Sequence, residues 1–195
     1  MKKQVRSRFA VIMQTTAAVS ALLTGLFLLL YFRLHSGWLL SIAVTFGTTF
    51  YHFAMRLLVG TLVPNTLSCN ARWFQQRPWE SDLYRKLKVK NWKKHLPTYN
   101  PDAFSLDLHT PEQILANMCQ AEVVHEIIVL CSFLPLAAVP FLGALPVFLI
   151  TSILSAAADL IFTIAQRYNR PRILRLSKKR AAIQSQRSFH HEGND

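Results

Sequence analysis

AVIMQTTAAVSALLTGLFLLLYF, residues 10–32, runs for 23 residues without a charge. At 1.5 Å per residue, a helix of that length reaches about 35 Å, enough to cross a hydrocarbon core of about 30 Å. Lys2, Lys3, Arg6 and Arg8 precede the run, and Arg33 follows it directly. The run is longer than the apolar core of a cleaved signal peptide, so the expected element is an uncleaved anchor helix. Three more apolar segments follow. Trp38 to Val63 is stopped by Pro64, and the others run from about Val123 to Leu142 and from about Ala144 to Ala165. Gly143, with Pro135, Pro140 and Pro146 around it, marks a tight hairpin between the last two.

Composition agrees. Hydrophobic residues make up 51% of the chain and charged ones only 16%, against about 25% in an ordinary soluble domain. The net charge is nevertheless +12. A chain so apolar and so basic must keep the two characters in separate segments. Disordered chains, disulfide scaffolds and typical soluble enzymes are excluded. The expected fold is an all-α membrane protein of about four transmembrane helices. Residues 1–180 are read as a single transmembrane domain and 181–195 as a polar C-terminal tail. Cys69, Cys119 and Cys131 show no paired or metal-binding spacing and are expected as reduced thiols.

Basic residues set the expected orientation. Four Lys/Arg lie before the first span, eight between Asn65 and Gln120, and eight from Arg167 onward, whereas the two short connections hold only Arg33. Four spans put both tails and the 65–120 segment on one side, and the positive-inside rule makes that side cytoplasmic.

The 65–120 segment carries more than a connection. Trp73, Phe74, Trp79, Tyr84 and Trp92 alternate with Arg72, Arg77, Arg85, Lys86, Lys88, Lys90, Lys93 and Lys94. Trp79, Leu83 and Leu87 recur every four residues, as do Lys86, Lys90 and Lys94, which predicts an amphipathic helix at the headgroup level. Beside membrane spans, such a belt suits lipid headgroups or an acidic soluble partner rather than nucleic acid. Thr110-Pro111-Glu112-Gln113 predicts a helix start with Thr110 as N-cap and Gln113 closing a capping box.

Polar residues inside spans are costly and mark candidate sites. His52 and Arg56 share one face of span two. Glu122, His125 and Glu126 cluster on one side of the third helix, Asp159 lies in span four, and Gln166, Arg167, Asn169 and Arg170 end it. The topology gathers these groups at the cytoplasmic side, and the expectation is one polar pocket there. Glu122 and His125 form an ExxH pair, but a di-iron bundle needs two such pairs and two further Glu, so no metal is expected.

Three stretches carry a family resemblance: Gln166-Arg167-Tyr168-Asn169-Arg170-Pro171-Arg172, Ala121-Glu122-Val123-Val124-His125, and Tyr84 to Lys94 with its Trp92-Lys93 core. In order and spacing they resemble the glycosyl-4,4′-diaponeurosporenoate acyltransferase family, over roughly Arg72 to Arg180. The chain departs from the family pattern at Glu126, where the family has Trp, and at Asp159, where it has Asn. The resemblance implies a multi-pass enzyme of the bacterial cell (inner) membrane that attaches a fatty acyl chain to a hydroxyl of a glycosylated carotenoid or related glycolipid.

Acyl transfer needs a base for the hydroxyl proton and donors for the oxyanion. His125 is the candidate base, with Glu122 or Glu126 orienting its ring. His52, Arg56, Asp159, Gln166, Arg167, Asn169, Arg170, Trp92 and Lys93 are candidate substrate-binding residues. No resident cofactor is expected; acyl-CoA or an acidic acyl carrier protein is the expected donor. Two other readings stand beside this one. A lipid-binding or complex-assembly module would need the basic belt but not the acid-base cluster. A metal-dependent oxidoreductase would need more His ligands on that side.

Overall fold

The computed structural model describes residues 7–192, with side chains through Ile183 and at Gln186. Lys2, Lys3 and Arg6 of the N-terminal basic flank, and Gly193 to Asp195 of the tail, lie outside the described residues. Helix accounts for 82% of the structure, and no strand occurs among the described residues. The elements in order are α1 (Arg8–Leu34), α2 (Gly37–Leu62), α3 (Pro78–Lys86), α4 (Val89–Trp92), α5 (Pro111–Cys131), α6 (Val139–Leu142) and α7 (Leu145–Glu192). Short 3-10 turns fill the connections. Four helical stretches are long and apolar enough to cross a membrane: Arg8–Leu34, Gly37–Leu62, Pro111–Leu142 and Leu145–Ile183. The protein is an all-α membrane protein.

The chain divides into two compact units. Among the described residues, the first comprises 7–63, 97–100 and 123–163. Within it, α1 and α2 form a hairpin. Ala10, Met13, Ala17 and Ser20 are buried along one face of α1, and on α2 Leu39, Ala43, Val44 and Thr48 are buried. Small residues at three- and four-residue spacing let two helices approach closely where no water drives them together. Phe27 and Phe46 stack at 5.8 Å. The opposite face of α1, with Leu22, Leu29 and Phe32, is exposed, as suits side chains that meet lipid. Ser7 caps α1 by accepting from the Ala10 N–H (3.1 Å), while its own hydroxyl donates to the Tyr99 carbonyl (2.6 Å). Several in-span hydroxyls bond locally: Thr24 donates to the Ser20 carbonyl at 2.7 Å and Thr151 to that of Val147 at 2.8 Å, whereas the buried Ser152 hydroxyl has no partner among the described residues.

The third span is not one helix. After Cys131 the chain passes through a 3-10 turn, Leu134–Ala138, and then α6. Pro135 and Pro140 each remove a backbone donor there. Gly143 (φ 64°) and Ala144 (φ 52°) then make the expected hairpin turn in successive positive-φ conformations.

The second unit comprises, among the described residues, 64–96, 101–122 and 164–192. The expected capping box opens α5: the Thr110 N–H donates to Gln113 Oε1 at 3.0 Å, and the Gln113 N–H to Thr110 Oγ1 at 3.4 Å. Three local expectations are corrected. The amphipathic helix expected over the Trp79–Lys94 stretch is broken, because Lys88 adopts a left-handed conformation (φ 50°, ψ 39°) between α3 and α4. The QRYNRPR motif does not end the last helix; α7 continues through Pro171 to Glu192, so residues 181–192 are helical. Cys69 and Cys119, expected as thiols, are joined as a disulfide with Cα atoms 6.0 Å apart. Fifty residues of separation hid that pairing from spacing rules. Cys131 is free.

Candidate functional site

In the first unit, Ser152, Ser155, Asp159 and Thr163 are buried on α7. Their three- and four-residue spacing makes one polar stripe on an otherwise apolar helix. Asp159 is its charged centre, with 1% of its surface exposed. Its Oδ1 lies 2.8 Å from His125 Nδ1 on α5, and its Oδ2 is ion-paired with Arg56 on α2. Phe162 stacks on the His125 ring at 4.9 Å and 10°. The ring's orientation is thus fixed by an acid at its edge and an aromatic on its face.

Arg56 is held through both of its terminal nitrogens. Its Nη1 donates to the His52 carbonyl at 2.8 Å, and its Nη2 donates to Ser155 Oγ at 2.9 Å and to the Ser155 carbonyl at 3.2 Å as well as to Asp159. Ser132 Oγ donates to the Ile128 carbonyl at 2.8 Å and lies 3.0 Å from Ser155 Oγ. Because Ser132 has spent its proton on the carbonyl, Ser155 supplies the proton between the two hydroxyls while accepting from Arg56. A buried carboxylate is tolerable only when its charge is paired and its lone pairs are filled, and Asp159 meets both conditions. His52 is also buried, but its Nε2 has no partner; its ring meets Tyr51 edge-on at 5.3 Å.

The second unit holds a separate ionic network. Glu122, with no exposed surface, accepts from Arg167 Nη1 at 2.6 Å through Oε1 and from Arg170 Nη1 through Oε2. Arg167 Nη2 also pairs with Glu80 Oε1 at 2.6 Å, and Glu80 Oε2 accepts from the Tyr84 hydroxyl at 2.7 Å. Arg170 donates to the Phe74 carbonyl, and its guanidinium lies over the Phe74 ring at 5.3 Å. Two carboxylates and two guanidiniums balance to zero charge. Burial alone would raise the Glu80 carboxyl, but the bonds from Arg167 and Tyr84 outweigh it and hold it below the ordinary range. Burial, then the neighbouring Glu80, pushes the Tyr84 phenol up.

The structure therefore distributes the expected residues over two networks. His52, Arg56, His125 and Asp159 belong to the first, and Glu122, Arg167 and Arg170 to the second. A carboxylate oxygen of Asp159 lies at His125 Nδ1, while Glu122 is bound by two arginines. Glu126 is half-buried on α5 and Gln166 half-buried on α7. Asn169 Oδ1 accepts from Lys93, and Trp92 Nε1 donates to the Leu87 carbonyl at 2.9 Å. Glu80, Ser155 and Ser132 are members that the sequence reading missed. Glu80 is one of only two acids between Asn65 and Asn100, and that isolation was the available signal. The Ser155–Asp159 spacing was another. Among the described residues, no three His, Cys, Asp or Glu side chains form a metal-binding group.

Four apolar helical stretches, a His-Asp-Arg cluster around the buried Asp159 and an ionic network around the buried Glu122 define a helical membrane protein that carries buried ionisable groups. The chain belongs to the glycosyl-4,4′-diaponeurosporenoate acyltransferase (CrtO) family, whose family model matches residues 70–179. That range includes His125, Asp159 and all four charged members of the second network. No curated protein and no solved structure matches the chain.

Proposed function

We propose that this member of an acyltransferase family moves a fatty acyl group from a thioester to a hydroxyl of a glycosylated isoprenoid, carotenoid or related glycolipid. The observation that carries the reading is the His125 Nδ1–Asp159 Oδ1 contact of 2.8 Å. With Nδ1–H donated to an ionised carboxylate, Nε2 keeps the lone pair that a base needs. The hydroxyl oxygen attacks the thioester carbonyl carbon, and its proton passes to His125 Nε2. Collapse of the tetrahedral intermediate breaks the C–S bond, and the same proton goes to the departing sulfur. Asp159 faces the ring on which positive charge develops, which is the orienting role of a triad carboxylate. Arg56 and Phe162 are positioning residues for this pair.

The second network has a supporting role, since all four of its charges are spent on one another. Glu122 and Arg167 hold α3, α5 and α7 together rather than touch the reacting atoms. The lopsided Lys/Arg distribution supports a bacterial inner-membrane location with both termini and residues 65–120 in the cytoplasm, so that acylation takes place at the inner leaflet.

The test is lipid profiling of cells carrying the wild type or His125→Ala. Loss of one class of acylated glycolipid in the variant, at normal membrane abundance, is expected. Unchanged acylated lipids in a well-expressed variant leave the lipid-binding or assembly module as the better reading.

A further inference from the structure

The second unit contains a cavity of about 1070 Å³, just above the usual 300–1,000 Å³ of small-molecule sites. Seven Lys and Arg residues line it and no Asp or Glu does. One wall is α7, where Tyr168, Arg172, Arg175 and Lys179 recur at helical spacing and all face the cavity. The other wall is folded by the left-handed turn at Lys88, which brings Lys88, Lys90 and Lys93 to the same space.

Its floor is built. Lys93 is half-buried, bonds Asn169 and lies 4.5 Å from the centre of the Tyr168 ring. Tyr168 packs edge-on against Tyr84 at 5.7 Å, and Tyr84 is fixed by Glu80. Burial, then the nearby Arg172, lowers the Lys93 ammonium. Like charges one turn apart destabilise a helix, and α7 turns Arg172, Arg175 and Lys179 to a cavity that no acid lines; the acid near this stretch of α7, Glu112, meets Ser177 instead. An anion on the cavity side would relieve that repulsion.

We propose that this cavity binds the clustered phosphates of a nucleotide, and that it holds the nucleotide end of an acyl-thioester donor. The second clause rests on the acyltransferase reading; the first does not. Several phosphates on one small molecule match many cations around one concavity. A folded acidic protein would instead meet a surface, and its carboxylates would not reach the recessed Lys93. A phospholipid headgroup shares the phosphate chemistry and is distinguished by the test.

The probe is coenzyme A, titrated against the full chain in neutral detergent. Saturable binding is expected, with displacement by adenosine 3′,5′-bisphosphate and weakening as salt rises. Arg172 and Lys179 are exposed, so Arg172→Glu with Lys179→Glu should fold normally and weaken binding roughly tenfold or more, since hydrogen bonds to charged groups are lost. Lys93→Gln is a second, milder variant and should weaken binding in the same direction. His125→Ala should bind as the wild type does. Absence of saturable binding, or binding indifferent to both sets of cavity variants, overturns the proposal. So does displacement by phosphatidylglycerol vesicles with no displacement by the bisphosphate, which assigns the cavity to a headgroup. Coenzyme A binding without any acyl transfer leaves the phosphate site standing and removes the acyltransferase reading instead.

Discussion

His125 Nδ1 sits 2.8 Å from Asp159 Oδ1, although the two residues lie 34 positions apart. The contact selects one tautomer of the imidazole and turns its other nitrogen away from the acid. A histidine held this way has a fixed direction.

His125→Ala should leave an inserted protein whose acyl transfer falls by roughly 100-fold or more. Asp159→Ala should also lower transfer, because it removes the acceptor for Nδ1 and the partner of Arg56, whereas Asp159→Asn, the residue of the family pattern, keeps an amide oxygen for Nδ1 and should lower it less. The Asn variant keeps the shape of the site, so its membrane abundance should stay closer to wild type than that of Asp159→Ala. Comparable transfer in His125→Ala and wild type, measured per folded protein, would remove the catalytic assignment.

Glu122→Gln should act on stability first. It removes the charge shared by Arg167 and Arg170 in a buried site, a change that costs about 3–5 kcal/mol when one partner of a buried pair is lost. Thermal unfolding in detergent is the measurement. An unchanged midpoint would show that the network does not clamp these helices.

The lowered Glu80 carboxyl gives a pH dependence with a definite sign. Its folded value lies below its unfolded one, so its stabilising contribution is complete above the ordinary glutamate value of about 4.3. That contribution is lost as pH falls through the lower, folded value. Unfolding midpoints should therefore drop in that acid range, and Glu80→Gln should show a shallower drop. Parallel acid curves for the two proteins would count against it.

Much of this was legible beforehand, for identifiable reasons. The four apolar stretches read correctly because lipid leaves few alternatives to a helix. The Thr110 capping box read correctly because its signal is local. Lys88 did not, since its neighbours keep a helical period through a residue that leaves the helix. The polar run from Gln166 to Arg170 misled in the other direction, since α7 continues through Pro171. Arg167 and Arg170, anchored just before it, hold α7 in line across the missing hydrogen bond. Polar residues could be listed from sequence, but their pairing could not. Glu122 and His125 are one turn apart, yet one meets two arginines and the other an aspartate.

Sidedness has its own test. In a background with the native cysteines replaced, Ser36→Cys should react with an impermeant maleimide added outside, and Ser105→Cys only after the membrane is opened. The disulfide weighs against this orientation, since cytoplasmic thiols are normally kept reduced. A Cys69–Cys119 bond that survives rapid acid quenching of cells, together with outside labelling at Ser105→Cys, would invert the topology.

That bond also turns part of the chain into a closed ring. In the chain-entropy picture, a closure of about 50 residues removes about 4 kcal/mol of freedom from the unfolded ensemble. The ring contains α3, α4 and the Lys88 turn, but nothing of α7. Opening it would slacken one wall of the basic cavity and leave the other a straight helical rail. A reductant should therefore blur the cavity from one side only, with Lys88, Lys90 and Lys93 losing their register while Arg172, Arg175 and Lys179 keep theirs.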